Sequence, residues 1–165
     1  MPVFTPLSEL GSESGVSLEN RRILVAEDEA LIAIGIETML QEFGCEVVGP
    51  VSEVREILQM IDAEHVDGAL LDVNLRGRQV FEILPELMRR KIPVVLTSGY
   101  DDSTLFPPPF RDLPRISKPF DEATLQRMCI ALVASRQQQD AEKAHPGPDT
   151  GRTSAFGNDR AQTNR

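Results

Sequence analysis

Three short apolar runs in this chain each close on a charged side chain: ILVA runs into Glu27 and Asp28, GALL into Asp72, and a proline-rich stretch into Lys118 and Pro119. Apolar runs of this length, bounded by turn residues and separated by helix-length segments, read as parallel strands buried on both faces. Parallel strands present their carboxyl ends at one edge of the sheet, where such folds bind their ligands. The three acids and the lysine are therefore expected to converge.

Between the termini the pattern alternates strand and helix five times. The strands are read over Arg22–Ala26, Glu46–Gly49, Gly68–Leu71, Pro93–Thr97 and Arg115–Ser117. The helices are read over Ala30–Phe43, with Leu31, Ile34, Ile36 and Leu40 as its apolar stripe, from Ser52 to Ala63, over Gln79–Arg90 despite Pro85, and over Asp121–Arg136. The segment GYDDSTLFPPPFRDL, residues 99–113, carries three consecutive prolines, which lack the N–H a helix needs and clash with its preceding turn, so the fourth helix is predicted to be short or missing. The whole is an α/β fold, a doubly wound five-stranded parallel sheet.

Residues 1–20, rich in Ser, Glu, Gly and Pro, read as a flexible lead-in, residues 21–137 as the single domain, and residues 138–165 as a disordered polar tail. The net charge of -9 argues against nucleic-acid binding, which needs clustered Lys and Arg to neutralise phosphates. Cys45 and Cys129 are the only cysteines and read as reduced thiols. With no membrane-span-length apolar run and no signal-peptide pattern, the expectation is a cytoplasmic protein without a membrane partner, a monomer or weak dimer.

An adjacent acidic pair at a strand exit suits Mg²⁺, which takes one or two carboxylates plus phosphate oxygens and keeps several waters. Taken alone, Glu27 and Asp28 would read as a solvated acidic turn before a helix N-terminus. Asp72, at the exit of a buried strand, has the place of a nucleophile, provided a metal and a cation neutralise an incoming phosphoryl group; otherwise it caps the following VNLRG turn. Lys118 supplies a point charge for phosphate, and Ser98 a hydroxyl in the same plane.

Taken together and in this order, these residues resemble the receiver domain of two-component response regulators, across residues 21–137. The resemblance implies the flavodoxin-like strand order 2-1-3-4-5. It implies Asp72 as phosphoacceptor, Mg²⁺ held by Glu27, Asp28, Asp72 and the carbonyl of Asn74, and Ser98 and Lys118 facing the phosphoryl group, with the Lys118–Pro119 bond cis. Receivers usually carry an aromatic switch residue three positions before the lysine. Here Arg115 stands there, and Tyr100 is the candidate to replace it. The segment PVVLTSGY is similar to the Thr-Gly-Tyr signature of the stand-alone FAT GUY receivers of alphaproteobacterial stress signalling, with Leu96, Thr97 and Ser98 in place of Phe-Ala-Thr.

The function expected from this resemblance is a stand-alone signalling protein rather than an enzyme. It would take a phosphoryl group from a histidine kinase or histidine phosphotransferase, and its output would be contact with a downstream regulator protein. The alternative is the same fold acting as a phosphate-independent interaction module. An aspartate-nucleophile phosphohydrolase of the haloacid-dehalogenase type fits worse, because that class places a second acid two residues after the nucleophile of its first strand, and Ala30 stands there after Asp28.

Overall fold

The computed structural model describes residues 15–99 and 106–144. Five strands form one parallel sheet: β1 (Arg22–Ala26), β2 (Glu46–Val51), β3 (Gly68–Asp72), β6 (Val94–Ser98) and β7 (Arg115–Ser117), in the order β2-β1-β3-β6-β7. Two further strands of two residues each, β4 (Asn74–Leu75) and β5 (Arg78–Gln79), form a separate antiparallel hairpin. With that hairpin set aside, the order is the expected 2-1-3-4-5 of a flavodoxin-like sheet.

Side chains alternate across each strand and so build two cores. Ile23, Val25, Leu70, Val95 and Ile116 pack with helices α1 (Ala30–Glu42) and α4 (Glu122–Ala144) on one face. Leu24, Ala26, Ala69, Leu71, Val94 and Leu96 pack with α2 (Val54–Ala63) and α3 (Leu84–Arg89) on the other. Both faces of β3 and β6 are covered, which is why they read as unbroken apolar runs.

Several local expectations are corrected. In α1 the buried residues are Ala33, Ile36 and Leu40, whereas Leu31 and Ile34 are 86% and 58% exposed. A helix turns by about 100° per residue, so Ile34 lies about 160° around the axis from Ile36 and cannot share its face. The helix stops at Gly44, whose φ of +83° only glycine adopts cheaply. α2 begins at Val54 rather than Ser52, because Glu53 and Glu56 form a reciprocal capping box at its start.

The helix expected over Gln79–Arg90 is instead β5, a 3₁₀ turn (Val80–Glu82) and the short α3. Pro85 is tolerated only in the first turn, where its missing N–H has no intrahelical partner, so the helix cannot begin more than a turn upstream of it, and it begins at Leu84. Between β6 and β7 the described residues hold a single 3₁₀ turn, Pro108–Phe110, in keeping with the three prolines.

α4 runs past its expected end at Arg136 to Ala144, into the segment read as a disordered tail. Ion pairs of Asp140 with Arg136 (3.3 Å) and Lys143 (3.9 Å) support that extension. At the other end, part of the expected lead-in is packed. Leu18 is buried, its carbonyl accepts a bond from the Cys45 thiol at 3.5 Å, and the Asn20 N–H donates to the Gly44 carbonyl at 2.8 Å. Among the described residues, no helix is long and apolar enough to cross a membrane.

Candidate functional site

The register of the sheet assembles the site. Ala26 of β1 pairs with Leu71 of β3, so Glu27 and Asp72, one step further along each strand, stand side by side at the carboxyl end. Ser98 of β6 pairs with Ser117 of β7, which brings Lys118 to the same end; its N–H donates to the Ser98 carbonyl at 2.8 Å. The Lys118–Pro119 peptide is cis, as expected.

At that end the Lys118 ammonium donates to Glu27 Oε2 at 2.6 Å and to Asp72 Oδ2 at 2.7 Å. The other oxygens are held by main chain: Glu27 Oε1 accepts the Glu29 N–H at 3.1 Å, and Asp72 Oδ1 accepts the Asn74 N–H at 3.1 Å. Glu27, Asp72 and Ser98 are buried. Asp28 is half-buried and accepts the Arg76 N–H on Oδ2 at 2.9 Å, from the turn of the β4–β5 hairpin.

Burial pushes the Glu27 carboxyl above its usual range, and the neighbouring Asp72 adds to this, against the opposing bonds from Lys118 and the Glu29 N–H. For Lys118 burial alone would favour the neutral amine, but the hydrogen bonds to Asp72 and Glu27 outweigh it and hold the ammonium above its ordinary value. Carboxylate oxygens of Glu27, Asp28 and Asp72 all lie within 4.8 Å of one another, a donor set that fits a hard divalent cation. Lys118 pairs with Glu27 and Asp72, and Asp28 lies beside them, so the three acids outnumber the lysine and leave negative charge that a cation would neutralise.

Among known families, the response regulator receiver domain matches residues 23–130. The chain belongs to that family. Solved receivers share its fold. SdrG from Sphingomonas melonis Fr1 is 33% identical with a TM-score of 0.60, covering 73% of this chain and 98% of that one. PhyR from Brucella abortus is 29% identical with a TM-score of 0.68, covering 82% of this chain and 58% of that one. The transcriptional regulatory protein PdtaR of Mycobacterium tuberculosis is 31% identical over 86 residues, 52% of this chain and 42% of that protein. This chain thus spans about half the length or less of such a curated relative.

Of the residues singled out in the sequence, Glu27, Asp28, Asp72, Ser98 and Lys118 come together at the carboxyl end of the receiver sheet, and Asn74 joins them through its N–H. Arg115 does not contact the acids. Its guanidinium lies 4.6 Å from the centroid of the Phe106 ring, and Nη2 donates to the Arg111 carbonyl at 3.1 Å. Phe106 in turn meets Phe81 edge-on at 5.4 Å, and Phe81 stacks on Phe110 at 6.0 Å, so the position usually held by an aromatic ring is here a cation set against an aromatic cluster. Tyr100 lies outside the described residues. Arg76 and Glu53 were not singled out: Arg76 sits in a two-residue hairpin turn whose first residue is not one of the Asn, Asp or Gly that ordinarily signal such a turn.

Proposed function

We propose that this receiver accepts a phosphoryl group on Asp72 from the phosphohistidine of a histidine kinase or histidine phosphotransferase, and that its output is a protein–protein contact. The observation that carries this reading is the Asp72 carboxylate, held at the end of the central strand by Lys118 on one oxygen and the Asn74 N–H on the other. A carboxylate fixed in this way is oriented before the donor arrives, which removes part of the entropic barrier to transfer.

In the transfer an Asp72 oxygen forms a bond to phosphorus while the phosphorus–nitrogen bond of the donor breaks, its electron pair staying on the imidazole. Lys118, already 2.7 Å from Asp72, follows the charge onto the phosphoryl oxygens, and the Ser98 hydroxyl turns toward one of them. Glu27, Asp28 and Asp72, with the Asn74 carbonyl, would hold Mg²⁺, which supplies the remaining neutralisation of the phosphoryl group. Movement of Ser98 then alters the surface of β7 and α4, where a downstream regulator would bind.

Leu31 and Ile34, exposed on the helix that follows the acidic pair, support docking of the phosphodonor beside Asp72. The test is intact-protein mass after incubation with acetyl phosphate and Mg²⁺. A single phosphate adduct that requires Mg²⁺ is expected. A folded protein that takes no adduct from acetyl phosphate or from a phosphorylated kinase would leave the phosphate-independent interaction module as the function.

A further inference from the structure

The turn of the β4–β5 hairpin is Arg76-Gly77, with φ of +51° and +82°. Both central residues are left-handed, as a tight two-residue hairpin demands, and Gly77 meets that demand without strain. Arginine is an unusual choice beside it, since a side chain with a Cβ is disfavoured there and Asn or Asp is the common solution. A residue held in such a conformation needs a compensating reason.

Two contacts supply one. The left-handed backbone turns the Arg76 N–H toward the acidic pair, where it donates to Asp28 Oδ2 at 2.9 Å. The Arg76 side chain reaches the other way, to Glu53 Oε1 at 3.3 Å, and Glu53 is the residue that caps α2. The hairpin is anchored beneath by Leu75, which is 1% exposed, and its base is closed by the Val80 N–H donating to the Val73 carbonyl at 3.0 Å. One rigid turn, four residues downstream of Asp72, therefore grips the most exposed of the three acids and fastens to the second helix.

We infer that Arg76 is a positioning residue for the cation site: its main-chain N–H orients the Asp28 carboxylate, and its side chain, through Glu53, holds the hairpin in the place where that N–H can do so. This deepens the proposed function and rests on its reading of Glu27, Asp28 and Asp72 as the Mg²⁺ ligands. Asp28 is the acid that depends on the hairpin, because the other two are fixed by Lys118 and by the main chain of their own strand exits. An acid held on one oxygen keeps its second free to face the cation, and loses no rotamer freedom when the ion arrives.

The test is Mg²⁺ affinity, measured by titration calorimetry on the full chain, with amide exchange of Arg76 as a readout that needs no variant. In the wild type the Arg76 amide is expected to be protected from exchange and to shift on Mg²⁺ addition. Arg76→Pro, which removes the N–H and cannot adopt a positive φ, is expected to weaken Mg²⁺ binding at least tenfold. Gly77→Val, which keeps the N–H but strains the turn, is expected to weaken it several-fold, and Arg76→Lys, which keeps the N–H and a cation for Glu53, to stay within twofold. An Arg76 amide exchanging at the unprotected rate, or an Arg76→Pro protein with wild-type affinity, would overturn the inference. A wild-type protein that binds no Mg²⁺ at millimolar concentration would instead overturn the cation site on which it rests.

Discussion

Strand β3 carries a buried aspartate at each end, Asp67 just before its first residue and Asp72 at its last, 9% and 8% exposed. Equal burial has opposite consequences. At the amino end Asp67 accepts the Arg22 N–H at 2.8 Å and the His65 ring at 3.2 Å, and Arg22 itself pairs with Glu46 and Glu64. That cluster is satisfied by its own neighbours, and the Arg22 and Asp67 main chains also bond each other at 2.8 Å across the adjoining strands. At the carboxyl end three carboxylates lie within 4.8 Å of one another, and one ammonium pairs with two of them, Glu27 and Asp72. A buried acid alone is thus no sign of chemistry; an excess of buried charge over local partners is.

The largest expected difference between the two ends is covalent. Asp72→Asn abolishes the phosphate adduct formed with acetyl phosphate and Mg²⁺, whereas Asp67→Asn keeps it and costs about 1–2 kcal/mol of stability in urea, the usual loss for a weakened buried hydrogen-bond group. An adduct that survives Asp72→Asn would remove the distinction.

The cations give the next contrast. Lys118→Met is expected to slow phosphorylation by acetyl phosphate about 100-fold, the effect of deleting one preorganised charge-stabilising group. Arg22→Met leaves the rate unchanged and costs about 1 kcal/mol of stability, as partly exposed ion pairs do. Rates measured by intact mass over time separate them.

A smaller effect extends the carboxyl end outward along α1. Replacing the exposed Leu31 and Ile34 together by Asp is expected to slow phosphoryl transfer from a phosphorylated histidine kinase about tenfold, while the reaction with acetyl phosphate and the urea midpoint stay unchanged. Equal slowing with both donors would place the defect in the site rather than in docking.

The smallest effect belongs to the surface ion pairs around Glu86. Hydrogen bonds from Arg89 and Arg90 lower its carboxyl to about 2. A depressed carboxyl contributes stability above its ordinary value of 4.5 and loses it as pH falls toward about 2, so Glu86→Gln should differ from the wild type at neutral pH and converge with it in acid. The pair is exposed, so the difference in urea midpoint is expected to be slight.

The carboxyl end was legible in the sequence because parallel strands are short, apolar and aligned, so the residue after each one is placed by the sheet itself. Glu27, Asp72 and Lys118 needed nothing beyond that rule. The hairpin was not legible as such: RGRQVFEIL scans as the start of a helix, and only the positive φ of Arg76 and the position of Pro85 decide otherwise. Leu31 and Ile34 were misplaced because α1 is apolar nearly all round, and an apolar residue does not declare which face it lies on. The extended α4 depends on Asp140 pairs three and four residues apart in a stretch with no apolar stripe, where composition points to disorder.

The central claim is that Asp72 is the residue that takes the phosphoryl group, and borohydride trapping tests it most directly. Reduction of an aspartyl phosphate gives homoserine, so peptide mapping after treatment with acetyl phosphate, Mg²⁺ and borohydride reads out the acceptor's position. Homoserine at position 72 alone is the predicted result; homoserine at position 28 or 67, or at none, would contradict it.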